Sequence, residues 1–178
     1  YLELNSKQKK QYQKIKKKMI LTTGNDILKY FNDLRSICDE YNGSSIKYDC
    51  ALDIIEKVKS KKEKVVVFSY TITPLESLKV LLDKEFSKNA SLIFEGSMDL
   101  SSRNKAIENF KKSEEVFVLL CSGKIAGEGL NLVEANNVIF LNEWWNPSSN
   151  NQARDRVHRI GQTKDVMIFN LRTKNTIE

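Results

Sequence analysis

Side chains that would line a buried stripe recur every three or four places through the first sixty residues, the period of a helix with one packed face. In "LNSKQKKQYQKIKKKMI" the stripe is Leu4, Gln8, Tyr12, Ile15 and Met19, which leaves the lysines on the wet side. Asn5 or Ser6 carries a side chain able to cap the start. "TTGN" reads as a turn, and "DILKYFNDLRSIC" as a second amphipathic helix burying Ile27, Tyr30, Phe31, Leu34, Ile37 and Cys38. "YNGSS" breaks it, and "KYDCALDIIEKVKS" reads as a third helix. The pattern changes after Lys64. "VVVF" is a short continuous apolar run rich in β-branched residues, as in a strand buried on both faces.

From there strands and helices alternate. "TPLESLKVLLDKEF" predicts a helix capped by Thr73, "SLIFEG" a strand, "DLSSRNKAIENFKK" a helix and "EVFVLL" a strand. "NNVIFLN" predicts a strand, "PSSNNQARDRVHR" a helix and "DVMIFNL" a strand. That order implies an α/β fold, a mostly parallel sheet with helices on both faces, preceded by an N-terminal helical segment. The expected division is a helical lead-in over 1–60 and a sheet domain over 61–178. In such sheets ligands gather beyond the carboxyl ends of the strands.

Composition narrows the class. The 178 residues are 40% hydrophobic and 29% charged, which suits a soluble folded chain, and no apolar run is long enough to span a bilayer. The sequence opens on Tyr1 and a lysine-rich stretch without an apolar core, so it is expected to be a piece of a longer protein, without a signal peptide. Cys38, Cys50 and Cys121 are an odd set without a C-x-x-C pair, and His158 is the only histidine. That argues against a zinc site and for reduced thiols inside a cell. The net charge of +6 favours a polyanionic partner, and much of it comes from Lys7, Lys9, Lys10, Lys14, Lys16, Lys17 and Lys18. A solvated basic helix face is the simpler account of those lysines.

Three stretches carry chemistry. In "CSGKIAGEGLNLVEA", Gly123, Gly127 and Gly129 free the backbone to approach a phosphate, with Ser122 able to donate a hydroxyl. An ordinary strand-to-helix turn would look the same. In "NEWWNPSSNNQ", Trp144 and Trp145 cannot easily share one environment, so one is expected in the core and the other exposed. In "QARDRVHRIGQ", a helix would place Gln152, Arg156 and Arg159 on one face, with Arg154, Asp155 and His158 pointing elsewhere. The arginine fork matches phosphate oxygens in pairs, so Arg156 and Arg159 suit charge developing on a transferring phosphoryl group. Ile160-Gly161 would end that helix.

Together these segments resemble a known family. "AGEGLNLVEANNVIFLNEWWNPSSNNQARDRVHRIGQTKDV" is similar to motifs V and VI of the Swi/Snf-type DNA-dependent ATPases of helicase superfamily 2. "KVVVFSYTITPLESLKVLL" resembles motif IV, and "FEGSMDLSSRNKAIENF" the glycine-serine, arginine, phenylalanine signature. The resemblance covers nearly the whole chain. It implies the second RecA-like lobe of a two-lobe motor, with ATP and Mg²⁺ bound mainly by a first lobe and double-stranded DNA as the track. It assigns Arg156 and Arg159 to catalysis as arginine fingers, and Gly127, Glu128, Gln152, Arg156 and Arg159 to the nucleotide. It assigns Ser69, Ser122, Lys124 and Trp145 to DNA. This chain departs from the family at Ile125, where alanine is usual, at Ala126-Gly127, where two glycines are, and at Asn142, where aspartate is.

The phosphate loop G-x-x-x-x-G-K-[ST] and an acidic magnesium motif do not occur in the sequence, so the 178 residues alone are expected not to hydrolyse ATP. Expected partners are duplex DNA, the first lobe of the same protein, and nucleosomes or other DNA-bound protein, but no membrane. The expected location is nuclear in a eukaryote and cytoplasmic otherwise. The competing reading is a catalytically silent platform that keeps this lobe to bind DNA or protein.

Overall fold

The structure is a computed structural model, and it describes residues 1–22, 24, 26–122 and 130–178. Two compact units emerge, one of Tyr1–Cys50 with Leu171–Glu178, the other of Ala51–Asn170.

The first unit is helical. Helix α1 spans Ser6–Ile20, α2 Asp26–Asp39, and α3 begins at Ile46 and runs to Ser60, crossing into the second unit. Asn5 caps α1 by accepting from the Gln8 backbone N–H at 2.9 Å. Gln8, on the packed stripe, is fully buried. Its Nε2 donates to the carbonyl of Ile37 at 2.8 Å, its Oε1 accepts from the N–H of Ile46 at 3.3 Å, and so it joins the end of α2 to the start of α3. Asn42 and Gly43 turn the chain between those helices at φ 53° and 70°, a region that Asn and Gly tolerate best. Tyr12, Leu34, Ile37 and Cys38 form the core, with Ile177 packed against it. Lys47 is also fully buried, 2.9 Å from Asp39 and paired to Glu178 as well. Burial pushes its pKa down, but the two carboxylates outweigh this and hold it above the ordinary lysine value. These contacts, with a parallel bridge between Leu2 and Thr173, are why the last eight residues belong with the helices. The units divide within α3 at residue 50, whereas the sequence suggested residue 60.

The second unit is a five-stranded parallel sheet. Its elements are β1 Val65–Ser69, α4 Thr73–Glu85, β2 Ser91–Phe94, α5 Leu100–Lys112, β3 Val118–Ser122, β4 Asn137–Phe140, α6 Pro147–Arg154 and β5 Met167–Asn170. The strand order is β2-β3-β1-β4-β5. From β1 the chain steps to the β2 edge, and every later crossover steps back the other way. Right-handed crossovers therefore put α4 on one face and α5, residues 130–136 of the connection before β4, and α6 on the opposite one. The core agrees: Val66, Phe68, Leu119, Cys121, Val138 and Phe140 pack with Ala106 and Phe110 of α5, Leu132 and Ala135 of the connection, and Ala153 of α6. Alternation sends Val65, Val67, Leu120 and Ile139 to the other face.

Three boundaries differ from the pattern. Thr73 is the first residue of α4 rather than its cap, and Ile72 at the cap position makes no side-chain bond. Strand β3 starts at Val118, three residues after the expected point. Helix α6 stops at Arg154 instead of continuing to residue 159. Beyond it the N–H groups of Arg156 and Val157 turn onto the carbonyls three residues back, Ala153 and Arg154, and the Arg156 carbonyl accepts from the N–H of Leu132 at 3.0 Å.

Candidate nucleotide and DNA face

The carboxyl ends of the three central strands are level. Ser69 pairs in register with Ser122, Phe68 pairs with Phe140, and the Leu141 N–H donates to the Phe68 carbonyl at 3.0 Å. Ser122 closes β3 and is nearly buried. Ser69 is 0% exposed. Its hydroxyl donates to Asn142 Oδ1 at 3.2 Å and accepts from the Thr71 N–H at 3.3 Å. The Ser69 hydroxyl is thus committed inside the fold, and its neighbour Thr71 is exposed. Asn142, 2% exposed, also accepts from the Tyr70 N–H at 2.8 Å, so one amide sets the turn after β1. Sequence reasoning singled out Asn142 only as a departure and missed this role. Accepting two donors through one oxygen is something aspartate does equally well.

The two tryptophans separate as the sequence suggested. Trp144 packs edge-on against Phe68 and Phe140, with ring centroids at 6.4 Å in both cases, and those two rings stack on each other at 5.3 Å. Asn150, buried in α6, grips the Trp144 backbone twice: Oδ1 accepts from its N–H at 3.0 Å and Nδ2 donates to its carbonyl at 3.1 Å. Trp145, next in the chain, is 67% exposed. Asn146 then caps α6 by accepting from the Ser148 N–H at 3.0 Å, with Pro147 in the first turn. Trp144→Ala is expected to cost roughly 2–3 kcal/mol of stability, somewhat less than a wholly buried ring. Trp145→Ala should stay within about 0.5 kcal/mol, as surface substitutions do. Chemical unfolding of the two variants checks the pair, and equal losses would contradict the assignment.

The arginine stretch is arranged differently from the expected helix face. Gln152 is exposed on α6, but Arg156 and Arg159 lie beyond its end, in the loop 155–162. The three residues therefore do not share a helical stripe. Nor is the loop set beyond the carboxyl ends of the strands. It lies along residues 130–136, the connection that enters the amino end of β4, through the Leu132–Arg156 bond and two bonds from the Gln162 side chain to Val133 and Ala135. Arg156 is half-buried. Arg159 is exposed, and its guanidinium makes no hydrogen bond or ion pair among the described residues. Arg154 is structural: it bonds Glu143 at 3.2 Å, Asn151 at 3.1 Å and Asn170 at 3.4 Å, with its guanidinium carbon 5.4 Å from the Phe140 ring centre. Lys124, Gly127 and Glu128 lie outside the described residues.

Among the described residues no group of three His, Cys, Asp or Glu side chains is placed to hold a metal ion. Burial pushes the Cys121 thiol well above its ordinary pKa, which makes it an inert packing group. A cavity of about 570 Å³ opens among Lys59, Lys64, Phe86, Ala90 and Phe117, at the amino ends of β1 to β3, and no candidate site residue lines it.

A parallel sheet with this order, a serine-edged carboxyl rim, an exposed Trp145 and an arginine loop after α6 define a RecA-like helicase second lobe. Residues 46–161 match the helicase conserved C-terminal domain family. The chain belongs to that family, and its relatives and structural neighbours include proteins of the Swi/Snf type. It is 34% identical over 192 residues to an uncharacterised ATP-dependent helicase of Mycoplasma genitalium, a match covering 100% of this chain and 18% of the relative. It is 40% identical over 128 residues to the human lymphoid-specific helicase, covering 70% of this chain and 15% of that one. The C-terminal part of the Fun30 ATPase domain superposes with a TM-score of 0.71 at 34% identity, over 83% of this chain and 48% of that structure. The Sulfolobus solfataricus SWI2/SNF2 ATPase core in complex with dsDNA superposes with a TM-score of 0.81 at 28% identity, over 96% and 39%. The chain thus spans less than a fifth of the length of these two curated relatives.

Proposed function

We propose that this chain is the second motor lobe of an ATP-driven translocase on double-stranded DNA, bare or in nucleosomes. Arg159, exposed and unpartnered among the described residues on a loop tied down at both ends, is the observation that carries the reading. A guanidinium kept charged and unengaged by its own fold is available to an external phosphate. In this reading a first lobe binds ATP and Mg²⁺, Arg159 and Arg156 reach the nucleotide from the second lobe, and Gln152 lies on the same approach. ATP supplies the phosphoryl group whose transfer to water drives the cycle. The two guanidinium groups stabilise the charge that grows on that group in the transition state. Trp145, Ser122 and the exposed turn at Thr71 face the DNA backbone in the same reading, which assigns Lys124 to DNA as well. The names of the relatives, helicases and chromatin-remodelling ATPases, support the ATP and DNA parts.

The test compares the full-length protein with the isolated 178 residues. Full-length protein is expected to hydrolyse ATP faster when duplex DNA is added, and the isolated chain to show no turnover with or without DNA. Turnover by the isolated chain, or a full-length protein indifferent to DNA, would overturn the proposal. A full-length protein without turnover at all would overturn it too and favour the silent platform.

A further inference from the structure

Gln162, partly buried, closes the arginine loop with its side chain. Nε2 donates to the carbonyls of Ala135 at 2.7 Å, Val133 at 3.0 Å and Val157 at 3.4 Å. Oε1 accepts from the Lys164 N–H at 2.9 Å. Two of these carbonyls are on the connection entering β4, and the third is inside the loop itself. A second stitch lies at the other end of the loop, where Leu132 N–H meets the Arg156 carbonyl at 3.0 Å. Arg159 sits between the two stitches. Gly161, at φ +103°, reverses the chain so that Gln162 can return to the connection, and the Gln162 N–H closes that turn on the Arg159 carbonyl at 2.9 Å.

The chemistry of the residue follows from its neighbours. Three carbonyl oxygens around one nitrogen require a donor, and an N–H on the far side of the group requires an acceptor. Among side chains of this length only the neutral amide offers both. A carboxylate would face three carbonyl dipoles with nothing to donate, and an apolar side chain would leave the connection and the loop unjoined.

We propose that Gln162 is a positioning residue for the nucleotide-facing arginines. It fixes the arc of residues 156–162 against the connection 130–136, so that the backbone carrying Arg159 keeps one place and the guanidinium reaches out from a fixed point. This rests on the reading of Arg159 as a nucleotide contact. Misplacement by about an ångström is enough to cost up to roughly 100-fold in rate, so the expected signature is a loss in kcat at intact DNA affinity.

Steady-state ATP turnover of the full-length protein at saturating duplex DNA tests this, using Gln162→Met, Gln162→Glu, Arg159→Ala and the double variant Arg159→Ala/Gln162→Met. Gln162→Met is expected to lower kcat by about 10-fold or more, with DNA affinity unchanged. The double variant should be no slower than Arg159→Ala alone, because Gln162 acts through that arginine. Gln162→Glu should be as slow at pH 8 and recover relative to wild type towards pH 6, since a protonated carboxyl among carbonyls regains a donor. Gln162→Met within about twofold of wild type, additive losses in the double variant, or a flat pH ratio for Gln162→Glu would each overturn the proposal. Normal turnover by Arg159→Ala overturns the nucleotide reading itself and this inference with it. A slow Arg159→Ala beside a normal Gln162→Met overturns this inference alone. If Gln162→Met fails to fold, the pH ratio of Gln162→Glu decides.

Discussion

Replacing Arg159 by alanine in the full-length protein is expected to cut DNA-stimulated ATP turnover by about 10³-fold or more, the usual worth of an arginine finger, while DNA affinity holds. The separation follows from position. Arg159 lies on the loop after α6, laid along the connection that enters β4 at its amino end, whereas Trp145 and Ser122 follow the carboxyl ends of β4 and β3. Lysine at the same place is expected to recover little, because its point charge cannot match two phosphate oxygens as the planar fork does. Arg159 is a cleaner probe than Arg156. Arg156 is half-buried and already engaged within the fold, so part of any loss at Arg156 would come from a loosened loop. Hydrolysis rates at saturating DNA, read beside a binding isotherm at one fixed salt concentration, check the expectation. Wild-type turnover in Arg159→Ala would remove the basis for a nucleotide role.

The sheet was legible because each strand announces itself. Val65–Ser69 and Val118–Ser122 are buried at every position, so their sequences are unbroken apolar runs ending in serine. Helix starts were legible where a short polar side chain stands in front: Asn5, Asp99 and Asn146 all accept from the N–H of a residue two or three further on. The end of α6 was not. Residues 147–159 keep helical spacing throughout, yet from Arg156 on the chain tightens and is bonded to Leu132, twenty-four residues upstream. Periodicity has no access to such a partner. The same limit hid the fate of Ser69. A hydroxyl after a strand suits a phosphate contact, and only the fold shows Asn142 bonded to it. Gln162 carried one usable signal, a long neutral amide directly after a glycine, but its four partners are spread over residues 133 to 164. The Trp144-Trp145 pair was readable because two large neighbours can seldom both be buried in a turn. Lys47 left no signal, since among 29 lysines and arginines nothing local marks the one that is buried.

Lys47→Met is expected to destabilise the helical unit by about 3–5 kcal/mol, the cost of stranding buried carboxylates without their cation. The ammonium side chain is 1% exposed, that of Asp39 5% and that of Glu178 10%, so water can do little to replace the lost partner. The carboxylate of Glu178 also accepts from the Thr173 N–H at 3.0 Å and hydroxyl at 2.8 Å, so losing its hold on Lys47 loosens Leu171–Glu178 as well. Replacing the cluster together, by Lys47→Met, Asp39→Leu and Glu178→Gln, should recover most of the loss. No charge then remains in the Lys47 cluster itself, and glutamine still accepts from Thr173. The fold holds the Lys47 pKa above its ordinary value, its two carboxylates outweighing burial. Its contribution is thus fully present below the unfolded value of about 10.4 and lost as pH rises through the higher folded value. Between neutral pH and about 10 the wild-type advantage over Lys47→Met should be level, and above that it should shrink. Denaturant unfolding at pH 7 and again near pH 11 measures both parts. A Lys47→Met chain within about 1 kcal/mol of wild type at pH 7 would show that the two carboxylates find other partners once the lysine is gone.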